Sequence, residues 1–165
     1  MNLLHQNNVE AARKLLLLCR EKGITLATAE SCTGGMIGST ITSVPGSSDL
    51  FLGGIISYAV SAKESLLSVS HETLAHHGAV SKETAQAMAV GAQKAFSATL
   101  AVSVTGLAGP GGGTPDKPVG LVHFGIATKD TTLHKQQIFS GDRDSVRLQA
   151  VATALAFLEE TINTL

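Results

Sequence analysis

Short apolar runs with strand character alternate with helix-period stretches along most of this chain, and a single hairpin closes the series. The alternation leaves few architectures, because each strand followed by a helix must bury its apolar face within a layered α/β arrangement. Val9 to Lys22 predicts an amphipathic helix closed by Gly23. Ile24 to Glu30 reads as a strand. Met36 to Ser43 reads as a short helix stopped by the turn signal Val44-Pro45-Gly46. Phe51 to Val60 is strand-like, with Gly53-Gly54 near its start, and Ala62 to Ser68 and Glu72 to His77 read as short helices. Ser81 to Phe96 predicts a helix with Ser81 as N-cap and Glu83 in the first turn. Leu100 to Val104 is a short buried strand, and Gly106 to Gly120 is a Gly/Pro loop. Leu121 to Thr128 and Thr132 to Phe139 form a hairpin through Lys129-Asp130, and Asp142 caps a long last helix ending near Ile162. The expected fold is an α/β, single-domain, three-layer sandwich with a mixed β-sheet flanked by helices. It covers residues 1–165, with no linker and no internal repeat.

Composition excludes several functions. A length of 165 residues suits one domain with a sizeable core. Mean hydropathy is +0.23, yet the longest apolar runs, Leu15 to Leu18 and Gly53 to Ile56, are far short of a membrane span. A net charge of −1 with one Tyr and no Trp gives neither the basic footprint nor the stacking platforms of a nucleic-acid binder. Two cysteines, Cys19 and Cys32, do not make a disulfide framework, and Met1 to Glu10 is polar and unlike a secretory signal. A cytoplasmic location is expected. Cys19 falls in a helical apolar stretch and is expected in the core. The apolar balance makes a homodimer or higher homo-oligomer the expected state.

Two tempting motifs fail on spacing. His71-Glu72-Thr73-Leu74-Ala75-His76 resembles a zinc-protease helix, but its histidines are five residues apart rather than four. That places them about 140° apart around a helix, so no metal is expected. The Gly106–Gly113 stretch lacks the Lys-Ser/Thr ending of a phosphate-binding P-loop, and Thr114 stands where a dinucleotide fingerprint needs Gly. What survives is a glycine-rich turn after a strand, able to present backbone N–H groups as an anion nest or simply to make a tight surface turn.

The chemistry-bearing stretch is Thr28-Ala29-Glu30-Ser31-Cys32-Thr33-Gly34-Gly35, a strand end running into a helix start. N–H groups at a helix start have no intrahelical partner and carry the positive end of the helix dipole. Such a turn can activate Ser31 or Cys32 as nucleophile, or it can be a plain N-cap. A partner set lies downstream. Tyr58, the only tyrosine, falls at the end of the second strand-like run, and Lys63 at the start of the next helix. If that strand lies beside the first, both point toward Ser31. A partly buried lysine there loses pKa and can act as a base.

In order along the chain, Thr28–Gly35, Gly53-Gly54-Ile55-Ile56-Ser57-Tyr58 with Lys63, Thr105–Pro110 with Gly112-Gly113-Thr114, Lys117–Gly120, and Phe139–Arg143 with Val146-Arg147 resemble the CinA C-terminal domain family of nicotinamide-nucleotide amidohydrolases. The resemblance runs from near residue 8 to near residue 160. It implies an amidohydrolase domain that converts nicotinamide mononucleotide and water to nicotinate mononucleotide and ammonia, without cofactor or metal, in pyridine nucleotide recycling. It implies Ser31, Tyr58 and Lys63 as catalytic residues, with Ser31 the nucleophile and Cys32 not. The N–H groups of Thr33, Gly34 and Gly35 are expected to hold the oxyanion. Glu30 faces the cationic ring or else serves as a structural cap or surface carboxylate. Cys32, Thr105, Gly106, Ala108, Gly109, Gly112, Gly113 and Arg143 complete the expected substrate site, with Arg147 a further phosphate ligand or a surface ion-pair partner. Longer relatives carry an N-terminal domain with a pyrophosphatase-type activity that is not expected of this chain. Two alternatives stand beside this reading: a regulatory or partner-binding module linked to competence or DNA damage, and a cysteine amidase using Cys32.

Overall fold

Alternate residues of the central strands serve two different cores. On the third strand Leu100, Val102 and Val104 join one apolar cluster, while Ala101 joins another on the opposite face, as the two-residue period of a strand requires. The computed structural model describes residues 3–165. Its elements are α1 (Leu3–Lys22), β1 (Leu26–Glu30), α2 (Met36–Thr42), β2 (Phe51–Ile56), α3 (Val60–Leu67), α4 (His71–His77), α5 (Lys82–Phe96), β3 (Leu100–Gly106), β4 (Leu121–Ala127), β5 (Thr132–Ile138) and α6 (Arg143–Thr164), with a 3₁₀ turn at Ser47–Asp49. The strands form one mixed sheet in the order β2-β1-β3-β4-β5. β1 runs parallel to both β2 and β3, and β4 and β5 are antiparallel additions. One face carries α1, α2 and α6, whose Leu15, Ile37 and Leu155 meet the large aliphatic residues of the sheet. The other carries α3, α4 and α5 over small residues such as Ala27, Ala29 and Ala101. This is the expected three-layer α/β sandwich.

The second face is close-packed because it is built from small residues. A Cβ on Gly125 of β4 would stand 2.4 Å from the Ala85 carbonyl oxygen, and one on Gly91 of α5 would stand 2.0 Å from the Leu67 carbonyl oxygen. Backbone therefore lies on backbone from β4 through α5 to α3. Ser103 Oγ donates to the Ala85 carbonyl and fastens α5 to β3.

Several element ends differ from the sequence expectation. β1 starts at Leu26 rather than Ile24, because the Ile24 N–H is spent on the Cys19 carbonyl (2.9 Å) in a helix-ending turn around Gly23 at φ +66°. β2 stops at Ile56 rather than Val60. The Ser57 N–H donates to Glu30 (2.8 Å), and the Ala59 carbonyl then accepts from Ala62 and Lys63, so α3 begins at Val60. Tyr58 thus sits in a link between strand and helix. α1 begins at Leu3 rather than Val9, and the remaining ends move by a residue or two. The N-caps stand where expected: Ser81 accepts from the Thr84 N–H (3.1 Å) and Asp142 from the Ser145 N–H (2.9 Å).

From β1 the chain passes through α2 to β2 on one side. From β2 it returns through α3, α4 and α5 to β3 on the other. The carboxyl ends of β1 and β3 therefore flank a topological switch point, where open α/β sheets hold their ligands. No helix among the described residues is long and apolar enough to cross a membrane.

Candidate active site

Ser31 is the first residue beyond β1, and its N–H donates to Val104 of β3 (2.9 Å), which locks it at the switch point. From α3, Lys63 reaches back so that Nζ lies 3.0 Å from Ser31 Oγ and donates to the Ser57 carbonyl at 2.7 Å. The lysine is 1% exposed. Burial holds its ammonium below the ordinary lysine pKa, and the neighbouring Cys32 opposes this only in part. An amine short of solvation and in contact with a hydroxyl has the arrangement by which a base can activate a nucleophile.

Cys32 lies beside the pair but differs in character. Its thiol is buried, and burial pushes its pKa up to about 11, which keeps it protonated and poorly nucleophilic at neutral pH. Cys19 is wholly buried in the α1 core, as expected, with its thiol pushed up to about 12.

The turn after Ser31 is held from two sides. Glu30, 1% exposed, accepts at Oε2 from the Thr33 hydroxyl (2.7 Å) and from the amides of Gly35 and Ile37 (both 3.0 Å), and at Oε1 from the Gly38 amide (2.8 Å). It caps α2 from below, which is the structural alternative of its sequence reading; both oxygens are spent before a substrate ring could use them. On the outer side, Arg147 donates to the carbonyls of Cys32 and Thr33 (both 3.1 Å). That arginine clamps the turn instead of standing free for phosphate, and its contact with Asp144 is a long 3.7 Å.

These bonds correct the expected oxyanion donors. The Gly34 amide is spent on the Ser31 carbonyl (3.0 Å) and the Gly35 amide on Glu30. The Cys32 amide, next to Ser31, donates to no backbone acceptor among the described residues and lies against its own thiol.

A cleft of about 230 Å³ opens over the pair. Ser31, Cys32, Tyr58 and Lys63 line one side, and Thr105, Gly106, Ala108 and Gly109 line the other, closed by Arg143. Glu30, Thr33, Gly34, Gly35, Gly112 and Gly113, also expected at the site, do not line it: the first four support the turn from behind, and the last two lie farther along the exposed loop. Tyr58 is 62% exposed, and its hydroxyl accepts from Arg143 Nη2 (2.9 Å) while Nη1 donates to Gly109 (2.7 Å). Lys63 therefore makes the direct contact with Ser31, and Tyr58 and Arg143 form the rim. The Thr105 hydroxyl is engaged, donating to Ala79 (2.7 Å). Leu107 and Gly111, within the glycine-rich stretch read as an anion nest, also line the cleft, as do Ala79 and Val80, which were not expected. The Ala79-Val80 wall comes from the α4–α5 connection, which carries no sequence signal of a site. A larger groove of about 580 Å³ runs along α5 past Leu66, Gln86 and Lys94, without a nucleophile and base in contact.

The histidines stand elsewhere. His71 pairs with Glu64 (2.9 Å) on the surface. His123 and His134, diagonal neighbours on β4 and β5, share a 2.9 Å hydrogen bond. Among the described residues, no three His, Cys, Asp or Glu side chains gather as metal ligands.

A buried serine–lysine pair at the switch point of a mixed-sheet α/β sandwich defines the class. The chain matches the CinA C-terminal domain over residues 8–162 and belongs to that family. It is 49% identical over 162 residues to a CinA-like protein of Citrifermentans bemidjiense, a match covering 98% of this chain and 39% of that protein. Among solved structures it resembles the competence/damage inducible protein CihA of Agrobacterium tumefaciens, with a TM-score of 0.93 and 41% identity over 99% of both chains. A CinA superfamily protein of Klebsiella pneumoniae gives a TM-score of 0.93 at 32% identity, covering 96% of this chain and 99% of that one. The chain spans between about a third and two-fifths of the length of the curated relatives it matches.

Proposed function

We propose that this protein is a serine amidase that hydrolyses nicotinamide mononucleotide to nicotinate mononucleotide and ammonia. The observation that carries the chemistry is the contact of a buried, pKa-lowered Lys63 Nζ with Ser31 Oγ at 3.0 Å. The choice of substrate rests on the resemblance of the motif series to the nicotinamide-nucleotide amidohydrolases.

Neutral Lys63 takes the Ser31 proton as Oγ bonds to the carboxamide carbon. The Cys32 amide faces the developing oxyanion, at the position next to the nucleophile that other serine hydrolases use. Lys63 passes the proton to the departing nitrogen, the C–N bond breaks, and ammonia leaves. Water then enters by the reverse sequence and releases the acid. The cationic pyridinium withdraws electrons from the carbonyl and eases attack. A cleft of about 230 Å³ takes the ring, so the ribose phosphate extends past Tyr58 and Arg143 toward the glycine-rich loop. Arg143 suits a bidentate phosphate contact there.

The relatives' names speak of competence and damage induction, which is what speaks for the partner-binding alternative. A binding module has no use for a lysine buried against a serine, so the two readings separate on activity. Ammonia release from nicotinamide mononucleotide is expected from the wild type and absent from Lys63→Ala. No release by the wild type sinks the substrate assignment.

A further inference from the structure

Lys63 has two partners at its buried end, Ser31 Oγ and the Ser57 carbonyl oxygen. A neutral amine has two N–H bonds and a lone pair, and an ammonium has three N–H bonds. When Ser31 gives up its proton, one N–H stays on the Ser57 carbonyl and one faces the reacting atoms. The remaining N–H is present on the amine as well, but on the ammonium it becomes a far stronger donor and calls for an acceptor.

Ser57 itself carries one. The residue is fully buried, and its hydroxyl is the buried side-chain polar atom that no group among the described residues satisfies. Buried hydroxyls are almost always paired, and an exception calls for a reason. The backbone of Ser57 is already fixed at both ends: its N–H donates to the Glu30 carbonyl and its own carbonyl holds Nζ. The hydroxyl can change partner only by rotation about the Cα–Cβ bond, among the staggered rotamers.

We propose that Ser57 is a positioning residue for Lys63, its hydroxyl accepting the N–H that neither the Ser57 carbonyl nor the reacting atoms take, a bond that strengthens when Ser31 is deprotonated and the amine becomes an ammonium. The proposal rests on the serine–lysine reading of the site. An acceptor that holds an ammonium N–H more strongly than an amine N–H stabilises the charged state over the resting one, so it lowers the barrier rather than tightening substrate binding. Ser31 O–H breaks as Nζ–H forms, the same proton leaves with the nitrogen, and the Ser57 hydroxyl keeps its own proton throughout. The titratable or charged groups that line the cleft with Lys63 are Cys32 from the β1–α2 turn, Tyr58 from the β2–α3 link and Arg143 from α6. Ser57→Ala leaves all three in place.

The test is an NMR titration of Lys63, with ¹³C-labelled lysine, in the wild type and Ser57→Ala, alongside the pH profile of ammonia release. In Ser57→Ala the lysine pKa is expected to fall by about one unit, which is tenfold in the protonation equilibrium. The rising limb of the rate profile follows it to lower pH, and kcat on the plateau drops about tenfold with KM unchanged. Ser57→Thr, which keeps the hydroxyl, restores the wild-type titration. A folded Ser57→Ala with an unshifted Lys63 titration overturns the proposal, as does a large loss of Tm with no such shift, which assigns Ser57 to structure. Should Ser57→Ala not fold, Ser57→Cys takes the same readings, with a sulfur that accepts only weakly. The titration needs no substrate. A shifted lysine in a protein that releases no ammonia marks the amidase reading as wrong, and an unshifted lysine in an active one marks this proposal alone.

Discussion

The two charged residues buried around Ser31 have opposite effects on stability. Glu30 holds the α2 N-terminus with four hydrogen bonds from one hydroxyl and three amides. Glu30→Ala leaves those donors buried without partners, and the expected loss is at least about 2 kcal/mol of folding stability, read by denaturant unfolding. Lys63 works the other way. Its folded pKa lies below its unfolded value, so below the folded pKa the native state carries the full cost of a buried charge, and that cost falls away as pH rises to the ordinary lysine range. Lys63→Met is therefore expected to raise Tm at neutral pH while abolishing ammonia release. A lysine variant that loses both is contrary to a buried catalytic base. On the proposed mechanism the same depressed pKa sets the pH dependence of activity: ammonia release is expected to rise with pH as Lys63 loses its proton and to reach its plateau below the ordinary lysine pKa.

Packing of whole elements places Lys63. α3 lies against α5 because Gly91 leaves room for the Leu67 carbonyl, and a Cβ there would stand 2.0 Å away. Gly91→Ala is expected to push α3 outward, lower Tm by several degrees and reduce activity without touching a cleft residue, a combination that melting curves and ammonia release together detect. On the sheet, His123 is buried and its pKa is held down to about 4 by burial, then by His134 and Lys117, with Glu83 opposing. The unfolded chain binds this proton near pH 6.5 and the folded chain does not. Stability thus falls as pH drops from about 6.5 to about 4, by roughly 1–3 kcal/mol. His123→Gln is expected to flatten that slope in urea melts at pH 5 and pH 7. The sequence makes the element series legible because each helix and strand carries its own periodicity. It makes Ser31 legible because a strand end, a small polar turn and a helix start are all local. The fate of Glu30 is not local: whether a carboxylate at a strand end faces a ligand or turns under the next helix depends on which face of β1 that helix covers. Arg143 and Arg147 share a helix face, yet one rims the cleft and the other clamps the turn, a difference set by where α6 crosses the β1–α2 connection. Ser57 and Ala79-Val80 carry no residue-type signal: Ser57 comes to the site by following β2 alongside the end of β1, and Ala79-Val80 by the packing of α4 and α5 onto the sheet.

At the scale of the molecule, the architecture supplies the site by topology. Parallel strands β1 and β3 end side by side at the point where the chain leaves in opposite directions, and Ser31, Lys63 and the glycine-rich loop converge there. The CinA-family fold is shared almost in full with the Agrobacterium protein, while the curated relatives are two to three times longer than the region matched. The most direct measurement is ammonia release from nicotinamide mononucleotide by the isolated domain as wild type, Ser31→Ala and Cys32→Ala, each checked for folding by its melting curve. The account expects release by the wild type, substantial release by Cys32→Ala, and none above background by Ser31→Ala. Release retained by a folded Ser31→Ala, or lost only in Cys32→Ala, contradicts it.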